Sequence, residues 1–255
     1  MKYLNAFIIM IFNYKRIGTM YITKNIYNME EENFDWTNYF SDNDVQKILS
    51  SVNYKDIFFA LRELLKEEKH TMNISLFRLI KDLIKDYSIS SPDILELGAA
   101  TGLLTRTLLS VSGGKGVLVD SCEESYKKYL STGYTGDNIE YIMEDIFELK
   151  TDRRFDIVCS FGLIEHFTDK KAVIDVHKEF LKDDGYLIIL IPMDSNHSRA
   201  FFLLHPELNL GYRELINSTE FRNILTENGL DVLKIVKSRD YSYDFVAAIC
   251  RKSKQ

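Results

Sequence analysis

Apolar and polar positions divide the chain into two textures. From Asp44 onward, apolar residues recur every three or four positions: Val45, Ile48 and Leu49, then Ile57, Phe58, Leu61, Leu64 and Leu65. A second run sets Ile74, Phe77, Leu79, Ile80, Leu83 and Ile84 among the charged Lys81, Asp82 and Lys85. That period belongs to amphipathic helices, and Pro92 ends the region. Beyond it, short apolar runs predict strands at Asp93–Leu97, Gly116–Asp120, Ile139–Met143, Phe155–Phe161 and Tyr186–Ile191. Helices are predicted between them at Leu103–Ser110, Glu123–Leu130 and Lys170–Leu181, with a short turn after Asp145. Asp169 stands where it can cap the third of these helices. Strands alternating with helices imply an α/β, doubly wound parallel sheet covered on both faces. Met193–Ser218 reads as a long irregular insert, and Thr219–Asn228 as a helix ended by Gly229. Two last strands, near Val232–Val236 and Phe245–Cys250, are joined too closely for a crossover helix and are expected to be antiparallel neighbours.

Composition narrows the class. At 255 residues and 45% hydrophobic, the chain has material for a real core and is neither disordered nor collagen-like. Its 32 Lys+Arg against 38 Asp+Glu give a net charge of −6, so no global basic field attracts nucleic acid or an anionic membrane, and neither is expected as a partner. Three cysteines without a CxxC pair suggest reduced thiols and a cytoplasmic setting. The five histidines show no metal-ligand spacing, so no metal is expected. The apolar run Ala6–Phe12 is shorter than the roughly 20 residues that span a bilayer, and no small-residue cleavage site follows it. Residues 1–28 therefore read as a packed appendage or as sequence ahead of a later start at Met20 or Met29. Residues 29–91 read as a helical cap, and 92–255 as the main domain with 193–218 as its insert.

The sharpest local signal is Glu96-Leu97-Gly98-Ala99-Ala100-Thr101-Gly102, a buried strand running into a glycine turn and then a helix. The turn lets a ligand approach the backbone at the strand's carboxyl end. A pyrophosphate site would need G-x-G-x-x-G. Here the spacing is G-x-A-x-G, and the carboxylate of Glu96 suits an ammonium or sulfonium better than a pyrophosphate. Asp120 follows the last glycine by 18 residues, where an acid accepts both hydroxyls of an adenosine ribose. Asp145 can accept from an adenine amine while Ile146 covers the ring. The candidate cofactor set is Glu96, Gly98, Ala100, Gly102, Asp120, Ser121, Asp145, Ile146, Ser160 and Phe161.

With these motifs, the chain resembles the class I S-adenosylmethionine-dependent methyltransferases over about Asp93 to Arg251. ELGAATG stands as their first motif, VLVD with Asp120 as the second and MEDIF with Asp145 as the third. RRFDIVCSFGLIEHF reads as the fourth strand and its exit, and LKDDGYLIILIP as the fifth. The resemblance implies a Rossmann-like seven-stranded sheet of order 3-2-1-4-5-7-6 with the last strand antiparallel, and S-adenosyl-L-methionine as cofactor. It also implies that Glu96 and the Gly98 backbone hold the methionine end, Asp120 the ribose and Asp145-Ile146 the adenine. The sequence departs from the commonest pattern at Ala100, where many members carry glycine. The fourth-strand exit, Cys159-Ser160-Phe161-Gly162-Leu163, lacks the [DN]-P-P-[YF] of enzymes that methylate base amino groups. It also has Ser160 where metal-dependent catechol enzymes carry an aspartate.

Methyl transfer needs alignment above all, and proximity supplies roughly 7–11 kcal/mol. A general base adds a factor of about 10² to 10⁴, and His166 is the candidate. The acceptor is expected to be a small organic molecule methylated at oxygen or nitrogen. Its walls are drawn from the insert (His197, Arg199, His205, Tyr212, Arg213) and from cap aromatics (Phe34, Trp36, Tyr39, Phe40). The stretch from His205 to Tyr212 resembles inserts of small-molecule methyltransferases. Two other readings are a non-catalytic cofactor-binding subunit and an aminopropyltransferase, though the latter lacks its carboxylate pair at the fourth-strand exit. His70 and His177 read as helix-surface residues, and Cys122 as a thiol near the adenosine without a base. The oligomeric state is not written in the sequence.

Overall fold

The computed structural model describes residues 36–37, 74–133, 136–204, 209, 211–238 and 243–254. Seven strands form one sheet: β1 (Asp93–Leu97), β2 (Lys115–Val119), β3 (Ile139–Ile142), β4 (Phe155–Phe161), β5 (Leu181–Pro192), β6 (Leu230–Ser238) and β7 (Phe245–Lys252). Their order is β3-β2-β1-β4-β5-β7-β6. The first five run parallel, while β7 is antiparallel to both β5 and β6. Among the described residues the α-helices are α1 (Ile74–Ile84), α2 (Leu103–Ser112), α3 (Glu123–Ser131), α4 (Lys170–Phe180), α5 (Asn196–Leu204) and α6 (Ser218–Glu227).

Side-chain alternation along the strands feeds two cores, as the two-residue period of a strand requires. On one face Ile94, Ile157, Cys159, Ile188, Leu190, Ala247 and Ile249 pack under α1 and α2. On the other, Leu95, Val158, Leu187, Ile189, Val246 and Ala248 meet α4 and α6 through Val173, Ile174, Phe180, Phe221 and Leu225. Burial on both faces explains why β5 carries the unbroken run Leu187–Ile191. Helix α1 buries Leu76, Leu79, Ile80 and Leu83, at the spacing of one helical stripe, and leaves Phe77 exposed. The end of the segment read as a cap is thus a layer of the sheet domain. Residues 1–28, Phe34, Tyr39, Phe40, His70 and most of the rest of that segment lie outside the described residues. Among the described residues, no helix is long and apolar enough to cross a membrane.

Two expectations are corrected. The insert is not irregular throughout, because α5 occupies its first half. Its buried stripe begins with a serine: Ser198 is fully buried, Phe201 and Phe202 follow on the same face, and the Ser198 hydroxyl accepts from Asp244 N–H at 3.0 Å. A polar residue at a buried position hid the helical period. Likewise His177 is no surface residue. It lies with Val173, Ile174 and Phe180 on the buried face of α4 and is 0% exposed.

Candidate active site

The turn leaving β1 is built from residues that few side chains could replace. Gly98 (φ +62°) admits the side chain of Leu163, whose Cδ1 would lie 2.7 Å from a Cβ there. Gly102 (φ +70°) does the same for Leu118. Between them Ala100 takes φ +47°, a left-handed conformation rare for a residue with a Cβ. Its N–H donates to Asp120 Oδ2 at 2.8 Å, and its carbonyl accepts from the Tyr141 hydroxyl at 3.0 Å. Glu96 is 2% exposed, and its Oε2 accepts from Thr105 N–H at 2.8 Å, satisfying a donor in the first turn of α2. Burial pushes its pKa up to about 7 against that bond.

Asp120 stands one residue beyond β2, its Oδ1 accepting from Cys122 N–H at 2.9 Å, and burial raises its pKa. Ser121 beside it is exposed. Asp145 lies three residues beyond β3, exposed, with Oδ1 accepting from Phe147 N–H at 2.8 Å, and Ile146 is buried in the core beneath. The side chain of Ser160 does not reach this rim. It is fully buried and donates to His177 Nε2 at 2.9 Å inside the sheet–helix interface. Phe161 is half-buried, its ring set against Phe245 at 4.9 Å.

At the exit of β4, a 3-10 turn (Ile164–His166) presents Glu165 and His166. His166 Nδ1 lies 2.6 Å from the Tyr212 carbonyl. A carbonyl can only accept, so Nδ1 carries the proton and Nε2 keeps its lone pair. Nε2 is 3.8 Å from Glu165 Oε1, and the Trp36 ring meets the imidazole edge-to-face at 4.7 Å. Burial, with help from the Arg213 charge, drives the His166 pKa down to about 3. Burial lifts Glu165 to about 7, opposed by Arg213; its Oε2 is buried without a hydrogen-bond partner among the described residues. The Glu165 carbonyl accepts from Glu214 N–H at 3.0 Å, fastening the end of the insert to this turn.

The acceptor-wall residues divide. Trp36 and Tyr212 do gather at His166, but Tyr212 is 5% exposed and contributes its carbonyl, while its hydroxyl donates to Glu214. Arg199 is held by Asp194 through two bonds of 2.5 Å, and His197 lies half-buried on α5. Arg213 is buried over the Phe202 ring at 4.6 Å. Tyr39 and His205 lie outside the described residues. Sequence reasoning missed Glu165, although it adjoins His166, and Tyr141, which no motif marks.

The strand order with its reversed β7, the glycine turn after β1 and the acids beyond β2 and β3 define the fold of the class I S-adenosylmethionine-dependent methyltransferases. The family model of the methyltransferase domain matches residues 69–235, and the chain belongs to that family. It is 25% identical over 179 residues to a ubiquinone biosynthesis O-methyltransferase of Rickettsia canadensis, covering 65% of this chain and 75% of the relative. A mitochondrial protein of the same name from Dictyostelium discoideum is 24% identical over 143 residues, covering 47% of this chain but only 44% of the relative. Among solved structures, magnesium protoporphyrin IX methyltransferase from Synechocystis PCC 6803 with bound S-adenosylhomocysteine superimposes with a TM-score of 0.59 at 15% identity, covering 86% of this chain and 97% of that one. The N-methyltransferase NodS from Bradyrhizobium japonicum gives 0.53 at 18% identity, covering 77% and 98%. These likenesses show a shared fold.

Proposed function

We propose that the chain transfers the methyl group of S-adenosylmethionine to an oxygen of a small organic acceptor. The observation that carries this reading is the left-handed turn between Gly98 and Gly102, tied to Asp120 and lying in the fold beside the β4 exit with Glu165 and His166. The names of the Rickettsia and Dictyostelium relatives favour oxygen over nitrogen. The three free thiols favour a reducing, cytoplasmic setting.

The donor set suits that group: an adenosine ribose has Asp120, an adenine has Asp145 with Ile146, and a methionine end has the backbone at Gly98. Each Asp120 oxygen accepts from one backbone N–H, which holds the carboxylate in place to receive a ribose hydroxyl. Glu96 acts here by fixing the start of α2. When bound, S-adenosylmethionine supplies a methyl carbon already activated by its sulfonium charge. His166 offers Nε2 as a neutral acceptor that orients the attacking hydroxyl, its ring held by Tyr212 and Trp36. With its pKa near 3 it does not keep the released proton; Glu165, near 7 and 3.8 Å away, is the better matched base.

Calorimetry with S-adenosylmethionine and S-adenosylhomocysteine tests the cofactor, and transfer of labelled methyl to a cell-extract small-molecule fraction tests the acceptor. Failure of both ligands to bind sinks the proposal.

A further inference from the structure

Ala100 occupies a conformation that glycine adopts freely and alanine does not. Something must hold it there, and two side chains from neighbouring strands do. Asp120, just past β2, takes its N–H, and Tyr141, on β3, donates to its carbonyl. The Tyr141 hydroxyl is itself placed from outside the turn. Its ring packs on Tyr126 at 4.9 Å and on Tyr129 at 5.0 Å, and this cluster rests against Ala99 and Leu118. Burial raises the Tyr141 pKa, so the hydroxyl remains a donor at neutral pH.

We infer that Tyr141 is a positioning residue of the cofactor site, clamping the Ala100 carbonyl so that the turn keeps its left-handed shape, a task that glycine at position 100 would make unnecessary. The inference deepens the proposed function, since it rests on this turn receiving the cofactor. It also gives a physical reason why an alanine can stand in a left-handed turn at this position.

A double-mutant cycle tests it: wild type, Tyr141→Phe, Ala100→Gly and the pair. Phenylalanine keeps the ring stack and removes only the hydroxyl. With Ala100 in place, Tyr141→Phe is expected to weaken S-adenosylhomocysteine binding about 5- to 10-fold, as the loss of one hydrogen bond allows. In the Ala100→Gly background the loss shrinks to less than about 2-fold, because glycine needs no clamp. Equal losses in both backgrounds, or none in either, overturn the inference. The urea midpoints of the ligand-free proteins provide a second readout. They should fall on Tyr141→Phe when Ala100 is present and hardly move in the Ala100→Gly background, and additive shifts overturn the clamp. If no variant, wild type included, binds the ligand, the cofactor reading fails, while the midpoints still judge the clamp.

Discussion

Acid should expose the buried His177 as a weak point in the core. In the unfolded chain its imidazole protonates near the ordinary value of 6.5, while in the folded protein burial holds it neutral down to about 4. Its Nδ1–H donates to the Val173 carbonyl at 2.7 Å, and Nε2 accepts from Ser160, so neither nitrogen has room for another proton. Between those two values the unfolded state binds more protons. Stability is therefore full above pH 6.5 and falls as the pH drops toward 4. A separation of roughly 2.5 units at 1.36 kcal/mol each amounts to about 3 kcal/mol. Urea unfolding of wild type and His177→Gln at several pH values between about 7.5 and 4 isolates this share. His166, Glu96 and Glu165 titrate in both proteins and cancel in the difference. The stability advantage of wild type over the variant should shrink by about 3 kcal/mol across that range. Parallel stability curves would refute the reasoning, since His177 would then titrate alike folded and unfolded.

Other outcomes follow from the same geometry. Ser160→Ala strips the donor from buried His177 Nε2 and should cost about 1–3 kcal/mol in urea unfolding, yet leave S-adenosylhomocysteine affinity unchanged; a drop in affinity would return Ser160 to the cofactor rim. Glu165→Gln should lower turnover by about 10²-fold and abolish the rise in rate as the pH passes 7, where the wild-type carboxyl ionises; an intact limb would remove Glu165 as the base. His166→Ala should lower turnover with little change in cofactor affinity, measured by calorimetry; unchanged turnover would leave it a packing residue.

Much of the framework is legible in the chain itself. Strand and helix positions after Pro92 follow from apolar spacing, and β1 and β4 match their predicted bounds. The glycine turn and Asp120 stand out because a backbone that must turn left-handed leaves glycine behind, and an acid after a buried strand is conspicuous. The failures share a cause. Ser198 and His177 are polar residues on buried faces, stabilised by partners far away in sequence (Asp244 and Ser160), and no local period records such a pairing. The expectation for Ser160 fails for the same reason. Glu165 escapes notice because its burial depends on the insert folding back to meet it. Tyr141 acts across two strands on a backbone carbonyl, an interaction that spacing along one segment does not reveal.

The insert is stitched to the framework at both ends. Met193 N–H donates to the Asp244 carbonyl and the Ser195 hydroxyl to the Asp244 carboxylate at one end, and Glu214 N–H donates to the Glu165 carbonyl at the other. Asp194 N–H donates to the Ile216 carbonyl, closing the two ends of the insert on each other. All of these contacts but the serine's join backbone to backbone. The segment is thus fixed partly through backbone and partly through its own side chains, since the Ser195 and Ser198 hydroxyls also meet Asp244 and the Glu214 carboxylate pairs with Lys170. Positions of the insert outside these fixings can therefore change while the contacts that hold it to the sheet stay as they are. Asp244, remote from the insert in sequence, is a fixing that such changes have to leave alone.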